Sequence, residues 1–330
     1  MVPVAGGSQI KQAPIRFGWG SVVTGAFTVT LLRPVSWALG LLGFLAGGGI
    51  LLVAWPVVVL PTPTGIQNQL AGPISSLVFG APSPALVILI VGGLGGSAVL
   101  VVAATLLGAW AERQGIELVL DAAADDGLRP GPATLDGAPG AWRIAVVRLL
   151  ALAPVMLAAV LASGPVYDVA YRELVLPREL VTPLPLRVLG QVPLQVLGVA
   201  VAWLASDAAA ALGVRHLVLA RRSVPAAWLL GWRDLVRRPR QTITTALLGT
   251  GVLAALLGPS MAAAALGWGR VRDILEAGHD PVTVVTATLV WVAIWLGGLV
   301  LAGVGASVRA AAWTLAMPVE ESAQDGSSPA

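Results

Sequence analysis

Six long apolar stretches run through this chain, near Val35 to Val59, Ala85 to Ala109, Ile144 to Val166, Val188 to Val214, Thr242 to Leu266 and Val282 to Ser307. Each exceeds the roughly 20 residues that cross about 30 Å of hydrocarbon at 1.5 Å per residue. Backbone N–H and C=O groups have no water to bond in hydrocarbon, so a spanning segment of this kind must satisfy them internally, as a helix. The expectation is an all-α polytopic membrane bundle of about six transmembrane helices.

Composition agrees with that reading. Hydrophobic residues make up 57% of the 330 and charged residues only 11%, against roughly 25% charged in soluble domains. The net charge of +3 does not point to nucleic acid, because the arginines sit at the ends of apolar runs rather than on a separate polar domain. Membrane lipids are the expected anionic partner. Cysteine is absent, which excludes disulfides and thiolate metal sites. The two histidines, His216 and His279, are expected in loops on opposite sides of the membrane, so no metal and no cofactor is expected. The first apolar run begins near Val35 and is too long for a signal core, so it reads as a span that stays.

Direction follows from the arginines. Arg215, Arg221, Arg222, Arg233, Arg237, Arg238 and Arg240 crowd the hinge between spans four and five, with Asp234 the one acid among them. Lys and Arg beside spans are retained in the cytoplasm. With the hinge inside, fifteen of the 20 Lys and Arg residues fall on that side. The expected organisation is a cytoplasmic and interfacial segment at 1–34, one transmembrane domain at 35–318 and a disordered cytoplasmic tail at 319–330. Both termini are expected inside a bacterial plasma membrane. The acidic stretch from Asp121 to Asp136, rich in Gly and Pro, reads as part of a flexible cytoplasmic loop over 110–143. Trp37, Trp110, Trp142, Trp268 and Trp313 fall near span ends, where an indole buries its ring and keeps its N–H wet. Trp203, Trp291 and Trp295 fall deeper and are expected to pack between helices.

Short amphipathic elements lead into the odd-numbered spans. Between Ser223 and Pro239, Trp228, Trp232, Leu235 and Val236 recur at helical spacing while Arg233, Arg237 and Arg238 take other faces. Ser223 suits an N-cap, Pro225 a first turn, and Pro239 a stop. Such a helix is expected to lie in the headgroup layer, with Arg233, Arg237, Arg238, Trp228 and Trp232 as its lipid-contacting residues. Residues 19–34 repeat the pattern more weakly and end in Arg33-Pro34, as the later one ends in Arg238-Pro239. Trp142-Arg143 precedes span three. All three run in the same direction, so the repeat is parallel.

The runs Gly231-Trp232-Arg233-Asp234-Leu235-Val236-Arg237-Arg238-Pro239, Leu31 to Leu42 and Ala141-Trp142-Arg143 resemble a group of bacterial multi-pass membrane proteins. They are similar in style to the membrane domain attached to some glycerophosphodiester phosphodiesterases. The resemblance implies a membrane bundle and brings no catalytic residue with it.

Candidates for chemistry are few. Asp207 is the one carboxylate set within an apolar span, near the cytoplasmic end of span four, and is read either as a functional group or as an acid paired with arginine at the lip. Gln191 and Gln195, one turn apart on the same span, share a narrow stripe with Gly198, Ala202 and Ser206, which either glues helices or lines a polar path. Gly43 with Gly47, Gly92 with Gly96, and Gly298 with Ala302 have the spacing of close helix contacts. With no nucleophile and base in register, an enzyme is not expected. The first reading is an accessory or scaffold for a membrane-protein partner. The alternative is a small-solute transporter or channel with a path along Gln191, Gln195 and Asp207.

Overall fold

A computed structural model describes residues 19–54, 84–125, 139–176 and 182–317. Among the described residues every regular element is a helix: α1 (Trp19–Leu32), α2 (Val35–Phe44), a π-turn (Leu45–Gly49), α3 (Ile50–Ala54), α4 (Pro84–Asp125), α5 (Ala141–Ala151), α6 (Ala153–Val175), α7 (Leu184–Gln191), α8 (Pro193–Val218), α9 (Val224–Arg237), α10 (Pro239–Glu276) and α11 (Pro281–Ala316). Six segments are long and apolar enough to cross a membrane: Val35–Ala54, Ile90–Asp125, Ala141–Val175, Pro193–Val218, Pro239–Glu276 and Pro281–Ala316. The molecule is an all-α, multi-pass membrane bundle. The expected tail at 319–330 and the outer end of the first expected span, 55–59, lie outside the described residues.

Proline sets most of the breaks. A residue before proline is pushed out of the helical region. Val192 (φ −123°, ψ 50°) and Arg238 (φ −124°, ψ 52°) accordingly separate α7 from α8 and α9 from α10. Pro34 caps α2, and Pro154 stands in the first turn of α6 just past the break at Leu152. Inside the first span the chain loosens into the π-turn, where Gly48 takes φ 97°, a conformation open mainly to glycine.

Several boundaries differ from expectation: α6, α10 and α11 run on to Val175, Glu276 and Ala316, and the expected third and fourth spans are broken at Leu152 and Val192. α4 continues well past Ala109 to Asp125, so Glu112, Glu117, Asp121 and Asp125 stand on a helix rather than in a loop. The sequence Ala111 to Asp125 is rich in Ala, Leu, Glu and Gln, which favour helix strongly enough to carry the span onward into its polar extension. His216, expected in a loop, lies on the last turn of α8.

The core sits at one end of the bundle, which we call the arginine-rich end. Buried side chains begin at Ala109 on α4, at Ser206 on α8 and at Gly298 on α11, and continue to the arginine-rich termini of those helices. The three lead-in helices fill the gaps between them. α1 lies between α11 and α4, α5 between α4 and α8, and α9 along α8. Val22, Ala26 and Val29 of α1 interlock with Val119 and Ala123 of α4 and with Val308, Ala311 and Leu315 of α11. Ile144 and Val147 of α5 meet Ile116 of α4, Val214 and Leu217 of α8, and Ala227 of α9. Three short helices, α1, α5 and α9, are thus packed against the arginine-rich ends of α4, α8 and α11.

Close approach is set by glycine at two crossings. A Cβ on Gly40 would stand 2.6 Å from the Gly303 carbonyl oxygen, and one on Gly303 2.6 Å from that of Trp37, so α2 and α11 touch backbone to backbone. A Cβ on Gly231 would fall 2.9 Å from the Gly213 amide nitrogen, which locks α9 against α8. Away from this end the helices are barer. Val87, Ile88, Val91, Leu94, Val99 and Leu100 of α4 are all exposed, as are Leu157 and Leu161 of α6 and Leu194 and Leu197 of α8. Among the expected small-residue pairs, Gly43, Gly47, Gly92 and Gly96 face open space, whereas Gly298 packs on Ser260 and Met261 beside fully buried Ala302.

Candidate functional site

The most concentrated chemistry among the described residues is a set of charges inside the arginine-rich end. On α4 the buried positions Ala109, Ile116, Val119 and Ala123 follow helical spacing, and Glu112 falls in the same stripe, so its carboxylate is carried inward. On α8 the inward stripe Ala208, Ala211 and Val218 likewise carries Arg215. The two meet across the interface. Arg215 Nη1 donates to Glu112 Oε1 at 2.7 Å and to the Ala211 carbonyl at 3.1 Å, while Nη2 donates to the Ala310 carbonyl of α11 at 3.2 Å. Arg148 of α5 takes the other carboxylate oxygen, its Nε donating to Glu112 Oε2 at 2.6 Å. One carboxylate therefore joins α4, α5 and α8, and one guanidinium extends the join to α11. The Glu112 and Arg215 side chains are 7% and 2% exposed, and Arg148, at the rim, is 34% exposed.

Two turns back along α8, Asp207 forms an ion pair with Arg309 of α11. The stem of Arg309 rests on Gly249 of α10, where a Cβ would stand 2.6 Å from its Cγ. Asp207 is thus the acid paired with arginine at the lip, one of the two readings the sequence left open. Nearer the helix ends, His216 Nε2 and Asp234 Oδ2 pair at 2.8 Å, tying α8 to α9, and Arg33 Nη2 donates to Asp125 Oδ2 at 2.7 Å on the surface.

The glutamines part company. The break at Val192 places Gln191 at the end of α7 and Gln195 in the first turn of α8, so they do not share a continuous stripe. Gln191 Nε2 donates to Glu173 Oε1 at 2.7 Å, and Glu173 also pairs with Arg187, a buried cluster at the end opposite the arginines. Gln195 is half-buried on α8, and Gly198 beside it is exposed. Proline at 193 is the physical reason: it removes an N–H and forces Val192 out of the helix.

On α9 the face turned to α8 is made by Ala227 and Gly231, the two buried positions one turn apart. Arg233, Arg237 and Arg238 are exposed, while Trp228 and Trp232 are half-buried, their indole N–H groups covered and without a partner among the described residues. The helix is held by protein on one side and offers its arginines on the other. The remaining tryptophans divide. Trp291 Nε1 donates to the Ala264 carbonyl at 3.0 Å and Trp295 Nε1 to that of Val53 at 3.1 Å, both between helices. Trp110 and Trp142 are exposed near the arginine-rich end, and Trp203 is exposed rather than packed. Trp313, expected in an interfacial belt, is instead 4% exposed among Ala208, Ala211, Leu212 and Leu235.

Glu112, Arg148, Arg215 and Arg309 had no assigned role in the sequence beyond loop charge and orientation. The continuation of the apolar spacing at 109, 116, 119 and 123 past the end of the span is the signal that places Glu112 inward. The arrangement couples helices electrostatically; each described carboxylate at this end that is buried already faces a cation. Compared with protein-family models, curated proteins and solved structures, the chain matches none.

Proposed function

We propose that the chain is a non-catalytic membrane scaffold, an accessory component that rests its arginine-rich end on the anionic headgroups of the cytoplasmic leaflet and offers its barer half to a membrane-protein partner. One observation carries this reading: most buried side chains of α4, α8 and α11 gather at the arginine-rich end, while residues 90–103 of α4 are all exposed and almost all apolar. Exposed apolar surface on a span meets lipid or another protein, not an aqueous solute. The separation of Gln191 from Gln195 at the Val192 break supports the scaffold over a transport path along that span. Both termini and the hinge then lie in the cytoplasm of a bacterial cell, following the retention of Arg beside spans. The likeness of the lead-in runs to the membrane domain attached to some glycerophosphodiester phosphodiesterases belongs to the same reading, an accessory role beside another membrane activity.

The absence of native cysteine makes the test direct. Single substitutions Ser223→Cys at the hinge, Ala277→Cys at the turn before α11, and Gln195→Cys are treated with a membrane-impermeant thiol reagent in intact cells and in inverted vesicles. The scaffold reading requires Ser223→Cys to react only in inverted vesicles, Ala277→Cys only in intact cells, and Gln195→Cys in neither. Reaction at Gln195→Cys from the aqueous phase, together with solute flux in proteoliposomes, would establish the transporter instead.

A further inference from the structure

Away from the arginine-rich end the bundle is in two parts. α6 packs along α8 and beside α7, and among the described residues it packs along none of α2, α4, α10 and α11. α8 meets α4 and α11 only towards that end, through Asp207, Ala208, Ala211 and Arg215. We infer that the chain has a second, closed state, in which the outer halves of α4 and α8 meet along a seam of apolar side chains, pivoting on the ion pair of Glu112 with Arg215. The inference rests on the fold alone; for a scaffold, closing withdraws the bare face of α4 from a partner.

α8 has two opposite faces in its outer half. Gln195, Val199, Ala202 and Ser206 recur at helical spacing and are half-buried or buried, on the side where α6 packs. Leu197, Val201 and Leu204 lie on the opposite side and are exposed. Traced inward, that bare side continues through Ala208 and Ala211 to Arg215, all buried, which meet α11 and Glu112. The bare face is thus the outward continuation of a contact already made at the arginine-rich end.

α4 carries the matching face. Both helices run towards the arginine-rich end, and the ion pair sets their register at an offset of 103 positions. Steps of 11, 14 and 18 residues back from Glu112 reach Val101, Ala98 and Leu94, and the same steps from Arg215 reach Leu204, Val201 and Leu197. All six are apolar and exposed. Alternating steps of three and four residues are the seam of a left-handed pair of parallel helices. Leu94 stands between Gly92-Gly93 and Gly95-Gly96, and a Cβ on any of the four would meet nothing within 4 Å, so a second helix can come close and Leu94 can seat against it. In hydrocarbon no hydrophobic force separates or joins such faces, and the small difference in packing leaves both arrangements accessible. The break at Leu152 divides α6 from α5, which is fixed in the core, so α6 and α8 can turn together as one body.

The test uses the full-length chain, which has no native cysteine. Two seam pairs are made, Leu94→Cys with Leu197→Cys and Val101→Cys with Leu204→Cys. A control pair, Leu100→Cys with Trp203→Cys, is also exposed and lies at similar depth, but 12 residues back from the ion pair on each helix, about a third of a turn off the seam. Membranes are oxidised with copper phenanthroline, and disulfides are quantified by peptide mass spectrometry. A disulfide forms only when the two Cα atoms come within about 7 Å, so both seam pairs are expected to cross-link within one chain, about tenfold or more faster than the control. Absence of cross-links in both seam pairs, or a control as fast as they are, would overturn the closed state. Disulfides between two chains, seen as a doubled mass, would assign these faces to a second copy and overturn it as well. Spin labels at the same positions, measured in nanodiscs, decide independently: a second, shorter distance is expected, and a single long one would overturn closure. None of these outcomes bears on the labelling of Ser223→Cys and Ala277→Cys, so the scaffold reading stands or falls separately.

Discussion

Glu112 of α4 and Arg215 of α8, 103 positions apart in the chain, meet at 2.7 Å with both side chains almost wholly buried. Desolvating two charges is costly, and their attraction repays the cost only while both are present. Removing one leaves the other stranded. Glu112→Ala, which strands Arg215 and deprives Arg148, is expected to cost about 3 to 5 kcal/mol, whereas Arg148→Ala at the partly exposed rim is expected to cost about 1 kcal/mol or less. Replacing both buried partners, Glu112→Leu with Arg215→Met, should recover most of the loss. Thermal unfolding of the purified protein in detergent reads all three variants; equal destabilisation by Glu112→Ala and Arg148→Ala would contradict the buried geometry.

The pairing of Asp207 with Arg309 links α8 to α11 at a more open place, the side chains being 24% and 22% exposed. A double-mutant cycle with Asp207→Asn and Arg309→Gln is expected to give a coupling of about 1 kcal/mol, within the range for residues in direct contact. A coupling indistinguishable from zero would mean that the pair does not hold in the folded protein.

Glycines of the same helical type should respond in opposite ways. At Gly40 a methyl group would stand 2.6 Å from the Gly303 carbonyl oxygen, so Gly40→Ala must separate α2 from α11 and is expected to cost about 1 to 3 kcal/mol. At Gly92 nothing lies within 4 Å, so Gly92→Ala should be neutral or stabilising by about 0.5 to 1 kcal/mol through helix propensity. Denaturation midpoints of the two variants in one detergent test the contrast, which fails if both fall together.

Asp280 caps α11 from outside the span. Its carboxylate accepts from the Thr283 hydroxyl at 2.6 Å and from the Thr283 amide at 3.0 Å, and these bonds hold its pKa below the ordinary carboxylate value. A depressed folded pKa means that the cap stabilises above the unfolded value and is lost as pH falls through the folded one. Hydrogen exchange at the Thr283 and Val284 amides should therefore quicken, after correction for intrinsic exchange, as pH drops below the usual carboxylate range. In Asp280→Ala the exchange should be faster throughout and should show no such step; a step that survives the substitution would assign it to another group.

Of the helix breaks, those at Pro34 and Pro239 were legible in the sequence, whereas those at Leu152 and Val192 fall inside the expected third and fourth spans, although Pro193 forces Val192 out of the helix by the same local sterics. The lead-in helices α1 and α9 were visible as spacing, whereas α5 showed only as Trp142-Arg143, its residues from Ile144 onward being read as the start of the third span. Which face of each turns inward was not visible. On α9 the tryptophans and leucines draw attention as the apolar stripe, yet Ala227 and Gly231 make the contact with α8, because backbone approach rewards small size over hydrophobicity.

By itself, the sequence determined that the chain is helical, how many times it can cross a membrane, and where its arginines concentrate, since these follow from hydrogen-bond satisfaction in hydrocarbon and from segment length. Tertiary structure alone decided which charges are inside. Arg215 belongs with the hinge arginines when the chain is read along its length, and with Glu112 and the Ala310 carbonyl once it is folded. The reason is physical: an ion pair across 103 positions depends on the relative placement of two helices, which is fixed by the packing of Ile116 of α4, Ile144 and Val147 of α5, and Val214 and Leu217 of α8 in one core and not by any local periodicity.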